Sequence, residues 1–150
     1  MTRNVGNSSS QIPMIAPPAI VRKKRPGKHP NRKIPTERQE QIWFITWLRK
    51  QGYRCHHSPN GGKRNILEGY NLKMMGVSAG FPDVEVPLPS GHYHGFYCEM
   101  KPIKGGRLTD EQREWLSYLR DKGYWAEVAH GFEEAKEMFL HYLSFTPKAA

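Results

Sequence analysis

Residues 81–101, FPDVEVPLPSGHYHGFYCEMK, constrain this chain more than any other stretch. Two segments that alternate apolar and polar residues flank Pro89-Ser90-Gly91-His92. Period-two alternation marks strands with one face on a core, and the turn residues between them predict an antiparallel hairpin. The hairpin carries charge where a plain sheet would carry Val or Ile. Its first strand opens on Asp83 and its second ends on Glu99-Met100-Lys101. Side chains alternate along a strand, so Glu99 and Lys101 share one face and Met100 lies opposite.

Taken alone, Glu99 and Lys101 also fit a surface ion pair of little worth. Asp83 distinguishes the two cases. A turn at 89–92 sets Asp83, near the start of one strand, beside Glu99, near the end of the other. Adjacent carboxylates repel unless a cation lies between them. Mg²⁺ suits that role, because it takes few carboxylates and keeps several waters. Lys101 beside them is suited to hold a water or hydroxide and to counter charge on a phosphate.

The rest of the chain supplies a domain around this hairpin. Its 150 residues suffice for one ordinary domain. A helix is expected from Thr36 as N-cap to Gly52 as stop, with Glu37 and Glu40 in its first turn. Its apolar stripe is Ile42, Ile45 and Leu48, widened by Trp43, Phe44 and Trp47. A short strand (53–59), a turn through Asn60 and Gly61, and a short helix (66–76) precede the hairpin. After it come a Gly-rich loop, a helix from Thr109 to Gly123 with a Gln112, Trp115, Leu116, Leu119 stripe, a strand (124–130) and a last amphipathic helix. A strand–helix–strand step at the end implies a crossover connection. The order predicts an α/β fold, a mixed central sheet of about four strands flanked by helices.

Charge divides the chain. Residues 1–36 hold eight Lys or Arg and no acid, and residues 37–150 hold fifteen bases against fourteen acids. The first 35 residues also hold six of the twelve prolines. They read as a basic, disordered arm, with a domain at 36–145 and a tail at 146–150. The arm's core, which includes Arg22, Lys23, Lys24 and Arg25, attracts polyanions without reading sequence. A solvated tail or an acidic membrane surface would suit it too. Absence of a long apolar run excludes a membrane span, and there is no secretory pattern at the start. Cys55 and Cys98 are too few for a disulfide framework, so a reducing cytoplasm is expected. Cys55, His56, His57, His92, His94 and Cys98 do not have the spacing of a zinc site.

Pro82-Asp83 followed by Glu99-Met100-Lys101 resembles the PD…ExK pattern of the restriction-endonuclease-like nucleases. The ordered set GVSAGFPDVEV, FYCEMK and GGRLTDEQREW is similar to the virus-type replication-repair nuclease domain, over residues 37 to about 143. The resemblance implies a restriction-endonuclease-like core and a Mg²⁺- or Mn²⁺-dependent deoxyribonuclease. It implies that Asp83, Glu99 and the Met100 backbone carbonyl hold the metal, that Lys101 is the catalytic lysine, and that Gln112 faces the site. It also implies an acid from the first helix. Glu37 in the sequence E-x-x-x-Q is that acid, with Glu40 as the alternative, because register within one turn is open. Either acid also serves the helix dipole. Asn60, Lys63, Arg64, Lys104, Arg107 and the arm are expected to contact DNA, and Glu85 to be a neighbour of the site or a solvent-facing acid. The implied substrate is branched or junction DNA in phage or bacterial repair, recombination or replication, in the cytoplasm of the bacterium or infected host. A symmetric homodimer suits a four-way junction. The rival reading is a nucleic-acid-binding module that does not cut.

Overall fold

The computed structural model describes residues 34–58 and 66–145. Elements follow in the order α1 (Glu37–Lys50), β1 (His56–His57), α2 (Ile66–Met74), β2 (Val84–Val86), β3 (Phe96–Lys101), α3 (Asp110–Asp121), β4 (Trp125–His130) and α4 (Phe132–Leu143). The four strands form one sheet in the order β1-β2-β3-β4. Pairing is antiparallel from β1 to β3 and parallel between β3 and β4. The mixed four-stranded sheet flanked by helices is the architecture the sequence predicts.

Helices α1 and α4 cover one face of the sheet and α3 the other. On the first face Phe44 and Leu48 of α1, Phe96, Cys98 and Met100 of β3, and Phe139 and Tyr142 of α4 are fully buried. Each such large side chain contributes roughly 1.5–3 kcal/mol by leaving water. On the second face Leu116 and Leu119 of α3 pack with Ala126, beside Tyr97 and Val128. Tyr97, Glu99 and Lys101 therefore belong to the α3 face, and Met100 to the opposite one.

Both site-bearing helices start on a capping box. Thr36 pairs with Gln39 at the start of α1, and Thr109 with Gln112 at the start of α3. These reciprocal bonds satisfy two otherwise orphaned backbone donors per helix and set where each helix begins.

Two expectations are corrected. The first concerns the α1 stripe: Ile42 and Trp43 are 52% and 47% exposed. The buried line is Glu40, Phe44 and Leu48, a strict four-residue spacing. Packing against α4 selects that line; Ile45 and Trp47 flank it half-buried, while Ile42 and Trp43 face solvent. The second concerns strand length. The hairpin's first strand is reduced to three residues and its edge partner to two, because Pro82 and Pro87 bracket β2 and proline gives no ladder donor. Glu85, left open as a neighbour of the site or a solvent-facing acid, pairs with His56 at 3.3 Å on the partly exposed sheet edge and lies across from Tyr97.

Candidate active site

The β2–β3 register pairs Val84 with Cys98. Extended along the chain, it sets Asp83 opposite Glu99 and Pro82 opposite Met100. Proline has no N–H, so it cannot donate to the Met100 carbonyl as a ladder residue would. The Met100 N–H is taken instead by the Asp83 carboxylate, at 3.0 Å from Oδ2. The N–H and C=O of one strand residue point to the same side. The Met100 carbonyl therefore faces the Asp83 side, while the next carbonyl, of Lys101, accepts from Gly131 on the β4 side. The Pro-Asp pair thus ends the ladder and puts a carboxylate where its next rung would be.

On the α3 face the Lys101 ammonium donates to Glu99 Oε1 at 2.8 Å and to Gln112 Oε1 at 3.1 Å. Gln112 Nε2 donates to the same Glu99 oxygen. Gln112 Oε1 also accepts from Thr109 N at 2.9 Å, so the residue that caps α3 also ties Glu99 to Lys101. The side chains of Lys101 and Glu99 are only 9% and 3% exposed. Burial of that degree requires paired partners, and these have them.

Two glycines make the arrangement fit. Gly80 has φ +79° and lies so close to the start of α3 that a Cβ would fall 2.5 Å from the Glu111 carbonyl carbon. Gly106, at φ +81°, lies on the Lys101 stem, where a Cβ would meet Lys101 Cδ at 3.2 Å. Positive φ and the absence of a side chain are both needed at these two positions.

The electrostatics follow from crowding. Burial, and next the neighbouring Asp83 carboxylate, push the Glu99 pKa up to about 7 against the pull of Lys101. Burial also raises Asp83, opposed by the Met100 N–H, Lys101 and His57. Glu37 is raised by burial, lowered by Lys101 and raised by Asp83, so its carboxylate feels the same site. Glu40 does not join them. It is 3% exposed, and its Oε2 accepts from Phe132 N at 2.6 Å. It caps α4, whose own N-cap, Gly131, has no side chain to do so. Of the two first-turn acids, Glu37 faces the hairpin and Glu40 faces away.

Lys104 and Arg107 are exposed in the loop after β3. Asn60, Lys63, Arg64, Arg22, Lys23, Lys24 and Arg25 lie outside the described residues. Two further residues stand beside the site: Gln41, the Q of E-x-x-x-Q on α1, and His57, which the sequence pattern did not mark as a partner of the site. His57 Nδ1 donates to the Asp83 carbonyl at 2.8 Å, and Gln41 lies 2.6 Å from the same nitrogen. Only strand pairing brings residue 57 to residue 83, so local spacing carries no signal of it.

The donor chemistry fits a hard divalent cation. Two carboxylates and a backbone carbonyl are all oxygen donors, the set that Mg²⁺ and Mn²⁺ take. Among the described residues no three His, Cys, Asp or Glu side chains gather as a metal cluster.

A mixed sheet with an acid at its broken rung and an E-x-K strand end defines the restriction-endonuclease-like class of nuclease folds. The chain belongs to the VRR-NUC domain family, whose model matches residues 35–133. It is similar to a solved VRR_NUC domain protein at 30% identity and a TM-score of 0.66, covering 76% of this chain and 93% of that one. No curated protein sequence matches it. The family makes this a nuclease-type domain with a nucleic acid as its substrate class. Among the described residues no helix is long and apolar enough to cross a membrane.

Proposed function

We propose that the protein is a Mg²⁺- or Mn²⁺-dependent deoxyribonuclease that hydrolyses phosphodiester bonds in branched DNA, in phage or bacterial repair, recombination or replication. The observation that carries this reading is the joint hold on one spot: Met100 N–H on Asp83, with Lys101 and Gln112 on Glu99. Asp83, Glu99 and the Met100 carbonyl would hold the cation. When bound, it supplies Lewis-acid polarisation of the scissile phosphate and lowers the pKa of its water.

The remaining work falls to side chains. Lys101 has three donors; Glu99 and Gln112 engage two, and the third serves the attacking water or a phosphate oxygen. Gln112 keeps the ammonium from swinging away. Glu37 adds negative charge next to Asp83 and Lys101, either at the cation or through a water. Lys104 and Arg107, with Lys63, Arg64, Asn60 and the basic arm, grip the backbone without reading bases. Selectivity then rests on DNA shape.

A homodimer is supported by the apolar side of α2, where Leu67, Tyr70 and Met74 are 60–70% exposed, continued just past the helix by Met75 at 79%. Sedimentation of the purified chain tests it, with a single monomeric species as the refuting result.

The decisive assay offers linear, nicked, flapped and four-way DNA to the purified chain with Mg²⁺ or Mn²⁺. Metal-dependent cutting that prefers a branched substrate and vanishes in Lys101→Ala supports the reading. Binding without cutting under every metal condition would move the protein to the non-cleaving alternative.

A further inference from the structure

The Asp83 carboxylate is held by Met100, but its main chain is held from the other side. Asp83 precedes β2, and its carbonyl accepts two hydrogen bonds from the β1 edge. Ser58 N donates at 3.2 Å and His57 Nδ1 at 2.8 Å. A carbonyl only accepts, so Nδ1 carries the proton in this contact. The Gln41 side-chain amide lies 2.6 Å from the same nitrogen. Gln41 is one helical turn after Glu37, on the same side of α1. One imidazole therefore touches both the residue that opens β2 and the helix that carries Glu37.

We propose that His57 is a positioning residue for the cation site. Its Nδ1–H pins the Asp83 main chain, so that the Asp83 carboxylate is presented to the site; Gln41 Nε2, itself a donor, packs against the same ring without a hydrogen bond to the protonated Nδ1. The inference rests on the metal-dependent reading above. The physical case is one of freedom removed in advance. With the Asp83 carbonyl fixed by His57 and its Oδ2 fixed by Met100 N, the carboxylate is aimed before any ligand arrives. Residues that orient a ligand from behind typically change metal affinity about 10–100-fold when removed. His57 is exposed, on a two-residue edge strand, and lies outside both apolar clusters. Its loss is therefore separable from loss of the fold.

The test is calorimetric titration of Mn²⁺ into the full chain without DNA. His57→Ala should bind Mn²⁺ about tenfold more weakly, with the metal-free Tm within about 3 °C of the wild type. His57→Asn, whose amide keeps an N–H donor on a short stem, should recover most of the affinity. Should the alanine variant not fold, His57→Phe keeps a ring without a donor and should show the same weakening. Unchanged Mn²⁺ affinity in the donor-free variant, or an asparagine variant as weak as it, overturns the inference. Loss of binding in Asp83→Ala with full binding in His57→Ala would sink the role of His57 alone. A wild type that takes up no Mn²⁺ would bring down the metal-dependent reading and this inference with it.

Discussion

Glu40 and Glu99 are buried to nearly the same extent, 3% and 2% exposed, yet they do opposite things for the molecule. Glu40 meets a backbone N–H at the start of α4, where the helix dipole favours a negative charge. Its burial fastens α1 to α4. Glu99 meets Lys101 and Gln112 but also faces a second carboxylate, and its pKa rises to about 7. Its burial holds repulsion within the fold. The difference teaches which buried acid to suspect of function. A carboxylate with only favourable neighbours is part of the scaffold, whereas one crowded by another acid is arranged for something outside the chain.

Glu99→Gln should separate the two most sharply. It removes a proposed metal ligand and the anchor of Lys101, so cleavage should fall by about a thousandfold or more in a single-turnover assay. Near-normal turnover would erase the distinction drawn here. The pH dependence of stability comes next. The folded-state pKa of Glu99, about 7, is above its ordinary value of 4.5. Its contribution is therefore fully present below pH 4.5 and is lost as pH rises through 7. In chelator, stability should decline between about pH 5 and pH 8 by on the order of 3 kcal/mol, as followed by urea melts. Glu99→Gln should remove most of that decline. A decline of equal size in the glutamine variant would assign it to another group.

Glu40→Ala should cost about 2 kcal/mol of stability at neutral pH, because it leaves the part-buried Phe132 N–H without its cap. Its cleavage per folded molecule should stay within about tenfold of wild type. A loss as deep as that of Glu99→Gln would place Glu40 in the chemistry after all. The smallest effect on stability is expected of Gln112→Ala, about 1 kcal/mol, since Thr109 still caps the backbone of α3. Its cleavage should nonetheless fall, because Lys101 keeps only one of its two holders.

Much of the fold was legible in local patterns. Thr36 with Gln39 and Thr109 with Gln112 announce helix starts, and the alternation of Phe96–Lys101 announces a strand with two different faces. The stripe of α1 was misjudged because Ile42 and Trp43 are as apolar as Phe44 and Leu48, and hydrophobicity alone does not say where α4 will lie. In the site, the grouping of Asp83, Glu99 and Lys101 followed from strand periodicity plus one turn. The choice between Glu37 and Glu40 did not. They sit within one turn, and only the arrival of the α4 N-terminus at Glu40 separates them.

By itself, then, the order of residues determined the hairpin, its charged end and the helix that supplies Gln112, because turns, caps and alternation act between near neighbours. Tertiary structure alone decided which first-turn acid faces the hairpin, that His57 and Gln41 stand behind Asp83, and that Gly80 and Gly106 leave room for Gln112 and Lys101. Those outcomes depend on contacts between segments far apart in the chain, and no local pattern encodes the distance at which such segments meet.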